Sequence, residues 1–278
     1  MWSGSEFCDA MRVRARGLLV WLSLGGAIFG CQSGSAQAQD IAFTAVANDL
    51  YSVELATGDM HPIGNTGFEV VALAVSPDHG LFGVESGGRL LTLDPSTGQS
   101  SVVGPLGGSV TIRDTDLAFD GHGQLWMLAD RFLYLVDTQT GAASAALGPQ
   151  IPGIGLAWYG SQMYTADDRL YLVDPTTGDA IPIGPGSPIS YSENLSPYRA
   201  GTLLSLTAML AGPNVFYQAD ALVIGTGERR FLFSMPNAVG LAVQPTQPAA
   251  VPGGAGYVSL LLILAMAATG IFGLRSRR

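Results

Sequence analysis

Short apolar runs alternate with polar turn residues along the middle of the chain. In LYLVDPTTGDAIPIG, residues 170–184, two such runs flank a turn that contains Asp174, Pro175 and Gly178. Aspartate caps a turn with its carboxylate, proline presets φ, and glycine accepts a positive φ. This pattern predicts a β-hairpin with short strands.

The hairpin recurs along the chain. Copies begin at Leu50, Leu90, Leu133 and Leu170, and a fainter copy begins at Leu222, with starts 37 to 52 residues apart. A second strand–turn–strand motif precedes several of the hairpins, as in ALAVSPDHGLFGV, DLAFDGHGQLWML and GLAWYGSQMYTA. One unit therefore holds about four strands in about 40 residues, which is the size of a propeller blade.

We therefore predict an all-β fold, a β-propeller of about five four-stranded blades over residues 39–244. Six or seven blades stay open if faint strands in residues 185–220 form an extra blade. The half copy GLAVQ, residues 240–244, has no hairpin after it. We expect it to pair with the strand that begins at Ile41 and to close the ring, because closure removes exposed sheet edges.

The charge of the repeat region argues against nucleic acid as a partner. The whole chain has a net charge of −9 and contains no lysine. Residues 39–244 carry 7 arginines against 20 acidic residues, and hence a net charge of −13. Such a surface repels phosphate backbones. An acidic exterior could instead attract divalent cations, although a solvated surface explains the same composition.

Residues 1–38 have the pattern of an export signal. Three arginines lie between residues 12 and 16, an apolar run follows, and Ala36 and Ala38 provide the small residues of a cleavage site. Met11 is a possible true start. A competing interpretation is that IFGC, which ends at Cys31, is a lipoprotein box with that cysteine lipidated.

The C-terminal residues predict a membrane anchor. Residues 245–256 are a Pro/Gly-rich linker, and the 18 residues 257–274 carry no charge. As a helix they would extend about 27 Å, the short end of a membrane span. Arg275, Arg277 and Arg278 follow, and the positive-inside rule keeps them in the cytoplasm. The propeller would then lie on the outer side of an inner membrane.

This tail resembles the PEP-CTERM class of bacterial sorting signals, and Val251-Pro252 is closer to the relatives whose motif begins with Ile/Val-Pro. The resemblance covers the short proline motif, the apolar helix and the terminal arginines, without a PEP triplet or a Thr-Leu after Val251. It implies recognition by a sorting protease of the exosortase type, with release or transfer toward the cell surface. A plain membrane anchor is the alternative.

Candidate chemistry is sparse. Asp114, Asp116 and Asp120 are the best calcium candidates, because calcium prefers carboxylate and carbonyl oxygens. Paired Asx turns explain the same residues. No Gly-x-Ser-x-Gly elbow and no cofactor motif are present in the sequence.

Residues 187–201 depart most from the repeat, and they are either an insertion or a degenerate blade. We predict a ligand-binding set there, because polar and aromatic loop residues on a rigid scaffold often carry function. The set consists of Tyr191, Glu193, Asn194, Tyr198 and Arg199.

The repeated LYxVDPxTG hairpins resemble those of bacterial extracellular propeller proteins of unassigned activity. Together with the predicted export and tail, they favour a non-enzymatic binding or structural protein of the cell surface or extracellular matrix. Its partners would be exopolysaccharide or surface proteins. The alternative function is a propeller hydrolase or lyase that acts on an extracellular polymer.

Export and cleavage can be checked on the mature chain. We expect mass spectrometry of the protein from its producing cell to give Gln39 as the first residue. A chain that instead begins at a lipid-modified Cys31 would contradict cleavage after Ala38 and support the lipoprotein interpretation.

Overall fold

The computed structural model describes residues 41–108, 110–187, 190–211, 214–235 and 239–244. These residues form nineteen strands and no helix. The strands are β1 (Ile41–Val46), β2 (Asp49–Glu54), β3 (Met60–Asn65), β4 (Val70–Val75), β5 (Leu81–Glu85), β6 (Arg89–Leu93), β7 (Ser100–Pro105), β8 (Asp116–Phe119), β9 (Leu125–Ala129), β10 (Phe132–Val136), β11 (Gly155–Tyr159), β12 (Gln162–Ala166), β13 (Leu170–Val173), β14 (Ala180–Ile183), β15 (Ser190–Pro197), β16 (Thr202–Ala211), β17 (Asn214–Val223), β18 (Arg229–Met235) and β19 (Val239–Val243).

The described strands form five antiparallel sheets, which are the blades of a propeller. In order from the innermost strand, blade 1 is β19-β1-β2-β3, blade 2 is β4 to β7, blade 3 is β8 to β10, blade 4 is β11 to β14 and blade 5 is β15 to β18. The inner strands β4, β8, β11, β15 and β19 contact one another in a closed ring. The predicted five-bladed all-β fold is therefore confirmed.

The last strand closes the ring as the half repeat predicts. β19 pairs antiparallel with β1, with Ala42 opposite Val243 and Phe43 opposite Ala242. Blade 1 thus combines the first strands of the described chain with the last one. Because this sheet is completed only by residues about 200 positions apart, it fastens the two ends of the domain together.

Two blades depart from the regular pattern. In blade 3 the fourth strand is reduced to two isolated bridges, which join Leu133 to Leu147 and Val136 to Ala143. The segment is rich in alanine and serine, which pack poorly on a pleated surface. Residues 190–235 form blade 5 with unusually long strands β16 and β17. The departure from the repeat is therefore a degenerate blade rather than an insertion or a sixth blade.

The core lies between the blades. Buried apolar side chains form five clusters in the described part of the chain, one at each junction of neighbouring blades. At the junction of blades 2 and 3, for example, Leu90, Leu117 and Met127 are at most 2% exposed. Both faces of every blade are therefore covered, and a blade cannot bury its surface without its neighbours.

Glycine pairs bring adjacent blades into backbone contact. A Cβ on Gly104, in the outer strand of blade 2, would lie 2.0 Å from the carbonyl oxygen of Thr140 in the hairpin turn of blade 3. Gly64 in blade 1 and Gly184 in blade 4 meet the next turn in the same way, each at 2.1 Å. No side chain fits at such distances. The glycines that end the hairpin repeats of blades 1, 2 and 4 therefore serve the junctions between blades.

The closing junction is built differently. Phe233 in blade 5 occupies the strand position that Gly184 holds in blade 4. Its ring packs against Gly58 in the hairpin turn of blade 1, where a Cβ would lie 2.6 Å from the ring. An aromatic side chain thus replaces the backbone contact where the chain closes on itself.

The terminal segments stay outside this description. The predicted signal peptide, linker, sorting motif and apolar stretch all lie beyond the described residues. Within the described ranges, no helix is long and apolar enough to cross a membrane.

Replacing Gly104 with alanine tests the backbone contact between blades. Gly104 does not have a left-handed φ, so the added methyl group acts through its clash with Thr140 alone. We expect Gly104→Ala to lower the free energy of unfolding by about 1–3 kcal/mol, the usual effect of overpacking. Denaturant unfolding followed by near-ultraviolet circular dichroism measures the change.

Gly225→Ala is the matched control, because Gly225 has no left-handed φ and no atom within 4 Å of an added Cβ. We expect its effect to stay within about 0.5 kcal/mol. Equal effects of the two substitutions would show that the contact between blades is not what requires glycine.

Candidate functional site

A cavity lies at each end of the propeller axis. At the end where the inner strands begin, a cavity of about 260 Å³ is lined by Arg113, Asp114, Asp116, Glu193 and Asn194 together with apolar residues. We call this cavity the entry mouth. At the other end, a cavity of about 400 Å³ is lined mainly by apolar and aromatic side chains of the inner strands, and we call it the exit mouth.

A hydrogen-bonded plug separates the two mouths. Asp116 is 1% exposed. Its Oδ2 accepts hydrogen bonds from the backbone N–H groups of Leu156, at 2.7 Å, and Leu195, at 2.9 Å. Its Oδ1 accepts one from the N–H of Leu117, at 2.9 Å, and one from Nδ2 of Asn194, at 2.5 Å. One carboxylate thus joins the inner strands of blades 3, 4 and 5.

Asn194 extends the plug to blade 1. Its Oδ1 accepts a hydrogen bond of 2.8 Å from the N–H of Leu241, which lies in the closing strand. Four of the five inner strands are therefore tied together on the axis by two side chains. The floor of the entry mouth consists of groups whose hydrogen-bonding capacity is largely used.

Burial perturbs the Asp116 carboxyl. Loss of solvent raises the pKa of Asp116 to about 7, and the N–H groups of Leu156 and Leu195 oppose this shift most strongly. Desolvation disfavours the charged form, whereas N–H donors favour it. The described hydrogen bonds all come from donors, so they limit how far burial raises the pKa of Asp116.

Glu193 is placed at the entry mouth by a β-bulge. The pairing of β15 with β16 skips Glu193, so that Ser192 faces Thr207 and Asn194 faces Leu206. Bulges re-aim side chains next to functional sites. Burial raises the pKa of Glu193, and the nearby charge of Asp114 raises it further. At the mouth the charge of Asp114 therefore acts on the Glu193 carboxyl.

Ion pairs surround the entry mouth. Arg113 pairs with Asp130 and lies 3.6 Å from Asp114, and Arg131 pairs with Asp167 at 3.2 Å. Burial raises the pKa of Asp167, while the charge of Arg131 opposes the rise. Exposed pairs of this kind contribute little stability. Their effect is to arrange charges of both signs around the mouth.

The structure does not gather the predicted ligand set into one site. Glu193 and Asn194 lie at the entry mouth. Tyr198 lines the exit mouth, at the other end of β15, and the guanidinium of Arg199 lies 5.0 Å from the centre of its ring. Tyr191 pairs opposite Ala208 on β16. Because β15 extends from one end of the propeller axis to the other, Glu193 and Asn194 are separated from Tyr198 by the length of this strand.

The three predicted calcium ligands are also separated. Asp114 lines the entry mouth, Asp116 lies on the axis, and Asp120 follows the far end of β8, about 13 Å from Asp116 along the strand. Asp120 accepts hydrogen bonds from the N–H groups of His122 and Gln124, as an Asx turn does. Within the described ranges, no three His, Cys, Asp or Glu residues are grouped to hold a metal ion.

Sequence inspection missed several residues of the mouth. Arg113 and Thr115 line it. Tyr217 on β17 lies outside the lining, although burial and, to a smaller extent, the charge of Glu193 raise its pKa. The repeat alone could have signalled the plug, because Asp116 and Asn194 occupy the inner-strand position that Gly155 and Gly240 hold in other blades.

Comparisons with known proteins give only distant likenesses. No protein-family model matches the chain, and no curated protein matches it. Among solved structures, a chain from the crystal structure of a nidogen/laminin complex is 9% identical with a TM-score of 0.49, and the match covers 74% of this chain and 99% of that chain.

Two further structures match over about half of their own lengths. A structural genomics protein of unknown function from Bacteroides thetaiotaomicron is 13% identical with a TM-score of 0.49, and the match covers 60% of this chain and 53% of that chain. U3-55K is 12% identical with a TM-score of 0.40, with 62% and 54% covered. The propeller is evident from strand pairing itself, and these likenesses carry no argument about ligand or activity.

One buried and two half-buried acids predict a pH-dependent stability. Asp116, Asp167 and Glu193 all have raised pKa values in the folded protein. Folding therefore takes up protons, and this contribution is fully present below about pH 4. The part that belongs to Asp116 is lost as the pH rises through about 7. Asp116 alone contributes up to about 4 kcal/mol on this basis. We expect denaturant unfolding to give a lower free energy at pH 8 than at pH 5.

Glu193→Gln is the control for this measurement, because it removes one of the three titrating groups without touching the plug. We expect it to reduce the difference between pH 5 and pH 8 but not to abolish it. A wild-type stability that stays level or increases over this range would mean that the N–H donors keep Asp116 ionised throughout.

Proposed function

We propose that this protein is an exported, non-enzymatic binding protein of the cell surface or extracellular matrix, and that the entry mouth is its ligand site. The observation that carries the proposal is the plug beneath the mouth. Both oxygens of Asp116 accept hydrogen bonds from within the ring. An axial carboxylate held in this way positions strands, because its oxygens accept hydrogen bonds from the ring itself rather than from a ligand.

The rim of the mouth provides the contacts for a ligand. Asp114 and Glu193 supply acceptors, and Arg113 supplies donors. Polar groups that converge on a concave surface of a rigid scaffold are typical of binding sites. A closed ring of five mutually packed blades holds these groups in fixed positions.

The cellular location of the protein is part of the proposal. The signal pattern, the apolar C-terminal stretch and the terminal arginines support export, with the propeller outside the inner membrane. The resemblance to PEP-CTERM signals supports processing by an exosortase-type protease. We propose exopolysaccharide as the first ligand class, or a surface protein in its place. Calcium would serve as a bridge, because the domain is strongly acidic.

One observation favours the alternative of a polymer hydrolase or lyase. Glu193 has a raised pKa and is close enough to Asp114 for the two charges to interact. A carboxyl group with a raised pKa near a second carboxyl group is an arrangement that glycoside hydrolysis uses. This pair would be the catalytic pair, with Glu193 as the general acid.

Co-sedimentation tests the binding function. The full chain, purified in detergent, is mixed with the exopolysaccharide of its producing cell, with calcium or with a chelator. We expect saturable binding that is about tenfold weaker in the Asp114→Asn/Glu193→Gln variant, because two charged hydrogen-bonding groups of the mouth are lost. Loss of binding in chelator would point to the calcium bridge.

The matched control is Asp59→Asn/Asp179→Asn, which removes the same charge from exposed hairpin turns that do not line the mouth. Equal weakening by both double variants would contradict the mouth as the site. An assay of new reducing ends in the same mixtures tests the alternative. If the wild type releases new reducing ends and the Glu193→Gln variant does not, the function is hydrolysis rather than binding.

A further inference from the structure

The propeller geometry brings five strand edges to the axis. The inner strand of each blade pairs on one side only, so its other edge faces the centre of the ring. The repeat places a leucine at the same position of each inner strand, namely at Leu73, Leu117, Leu156, Leu195 and Leu241. Backbone N–H groups on a buried edge need acceptors, because leaving them without partners costs free energy.

Four of these five leucine N–H groups converge on two side chains. Those of Leu117, Leu156 and Leu195 all donate to Asp116, and that of Leu241 donates to Asn194. The side-chain amide of Asn194 also donates to Asp116. Three backbone donors and one amide donor, from three blades, thus surround a single carboxylate.

The residues that precede these leucines show that only part of the ring contributes a side chain. Ala72, Gly155 and Gly240 stand where the other two blades have Asp116 and Asn194. A Cβ on Gly155 would lie 3.0 Å from the backbone of Asn194 and from the Leu195 side chain. The small residues therefore leave the axis to the two side chains that hold the N–H groups.

We infer that the axis of this propeller is a carboxylate-binding site built from inner-strand N–H groups, and that Asp116 is its built-in ligand. The chemical class that fits is a small carboxylate, with two acceptor oxygens and no donor. This inference concerns the ring itself and is independent of what binds at the entry mouth. At pH 8, where the Asp116 carboxyl is ionised, it requires an acceptor-only group on the axis rather than any polar side chain of similar shape.

Chemical rescue tests the site. Asp116→Gly gives blade 3 the residue that blade 4 already has at this position. In the full chain in detergent at pH 8, we expect the variant to lose about 5–15 °C in Tm, because four donors lose their acceptor. Sodium formate at 100 mM should raise the Tm of the variant by about 3 °C or more over sodium chloride at the same concentration. The wild type should respond equally to both salts.

Asp114→Gly is the matched control, since it removes a neighbouring exposed carboxylate that takes no part in the plug. We expect it to show no preference for formate. Equal effects of formate and chloride on Asp116→Gly would overturn the inference. If that variant is recovered only unfolded, its refolding yield in formate against chloride gives the same two outcomes.

Asp116→Asn provides a second, independent test. Its amide has the shape of the carboxylate, but its Nδ2 would face N–H donors on the side that Oδ1 or Oδ2 now occupies. We expect this variant to be less stable than the wild type by about 5 °C or more in Tm. A variant as stable as the wild type would show that the axis does not need a carboxylate.

Discussion

The structure depends on how five unpaired strand edges are satisfied where they meet. A propeller packs its blades face to face and leaves short outer edges at the periphery, but it directs the inner edges toward one line. Water or a side chain must accept hydrogen bonds from the N–H groups there. In this protein Asp116 and Asn194 perform that task for four blades. The plug is therefore part of what holds the ring in register.

The junctions between blades follow a second constraint, which is close approach of the backbone. Gly64, Gly104 and Gly184 end hairpin repeats and lie against the next blade at distances that exclude any side chain. At the closing junction Phe233 replaces the glycine, where strands from opposite ends of the domain complete one sheet. Apolar packing fills each junction, and the glycines determine how near the blades come.

These constraints bear directly on the proposed function. A plugged axis leaves two shallow mouths rather than a channel, and they differ in chemistry. The entry mouth carries Asp114, Glu193 and Arg113, whereas the exit mouth is mostly apolar. A bulge directs Glu193 into the entry mouth. Recognition of an extracellular ligand by polar contacts is consistent with the first mouth.

The local pattern of the chain was sufficient for the architecture. Apolar runs, turn residues and a period of about 40 residues predicted five blades, and the half repeat at residues 240–244 predicted closure of the ring. These features depend on short-range chemistry, because each hairpin forms from neighbouring residues. Asp94, Asp137 and Asp174 cap equivalent turns through nearby N–H groups, as the repeat indicates.

The site depended on contacts that no local pattern contains. Asp116 meets Leu156 and Leu195, which are 40 and 79 positions away. The predicted set of Tyr191, Glu193, Asn194, Tyr198 and Arg199 is close together in sequence. Its members are nevertheless spread along the inner strand β15, so that Glu193 lines one mouth and Tyr198 lines the other. The sequence by itself determined the number of blades and the strand that closes them. Only the tertiary structure decided which side chains reach the axis, because position around a ring is set by packing between blades.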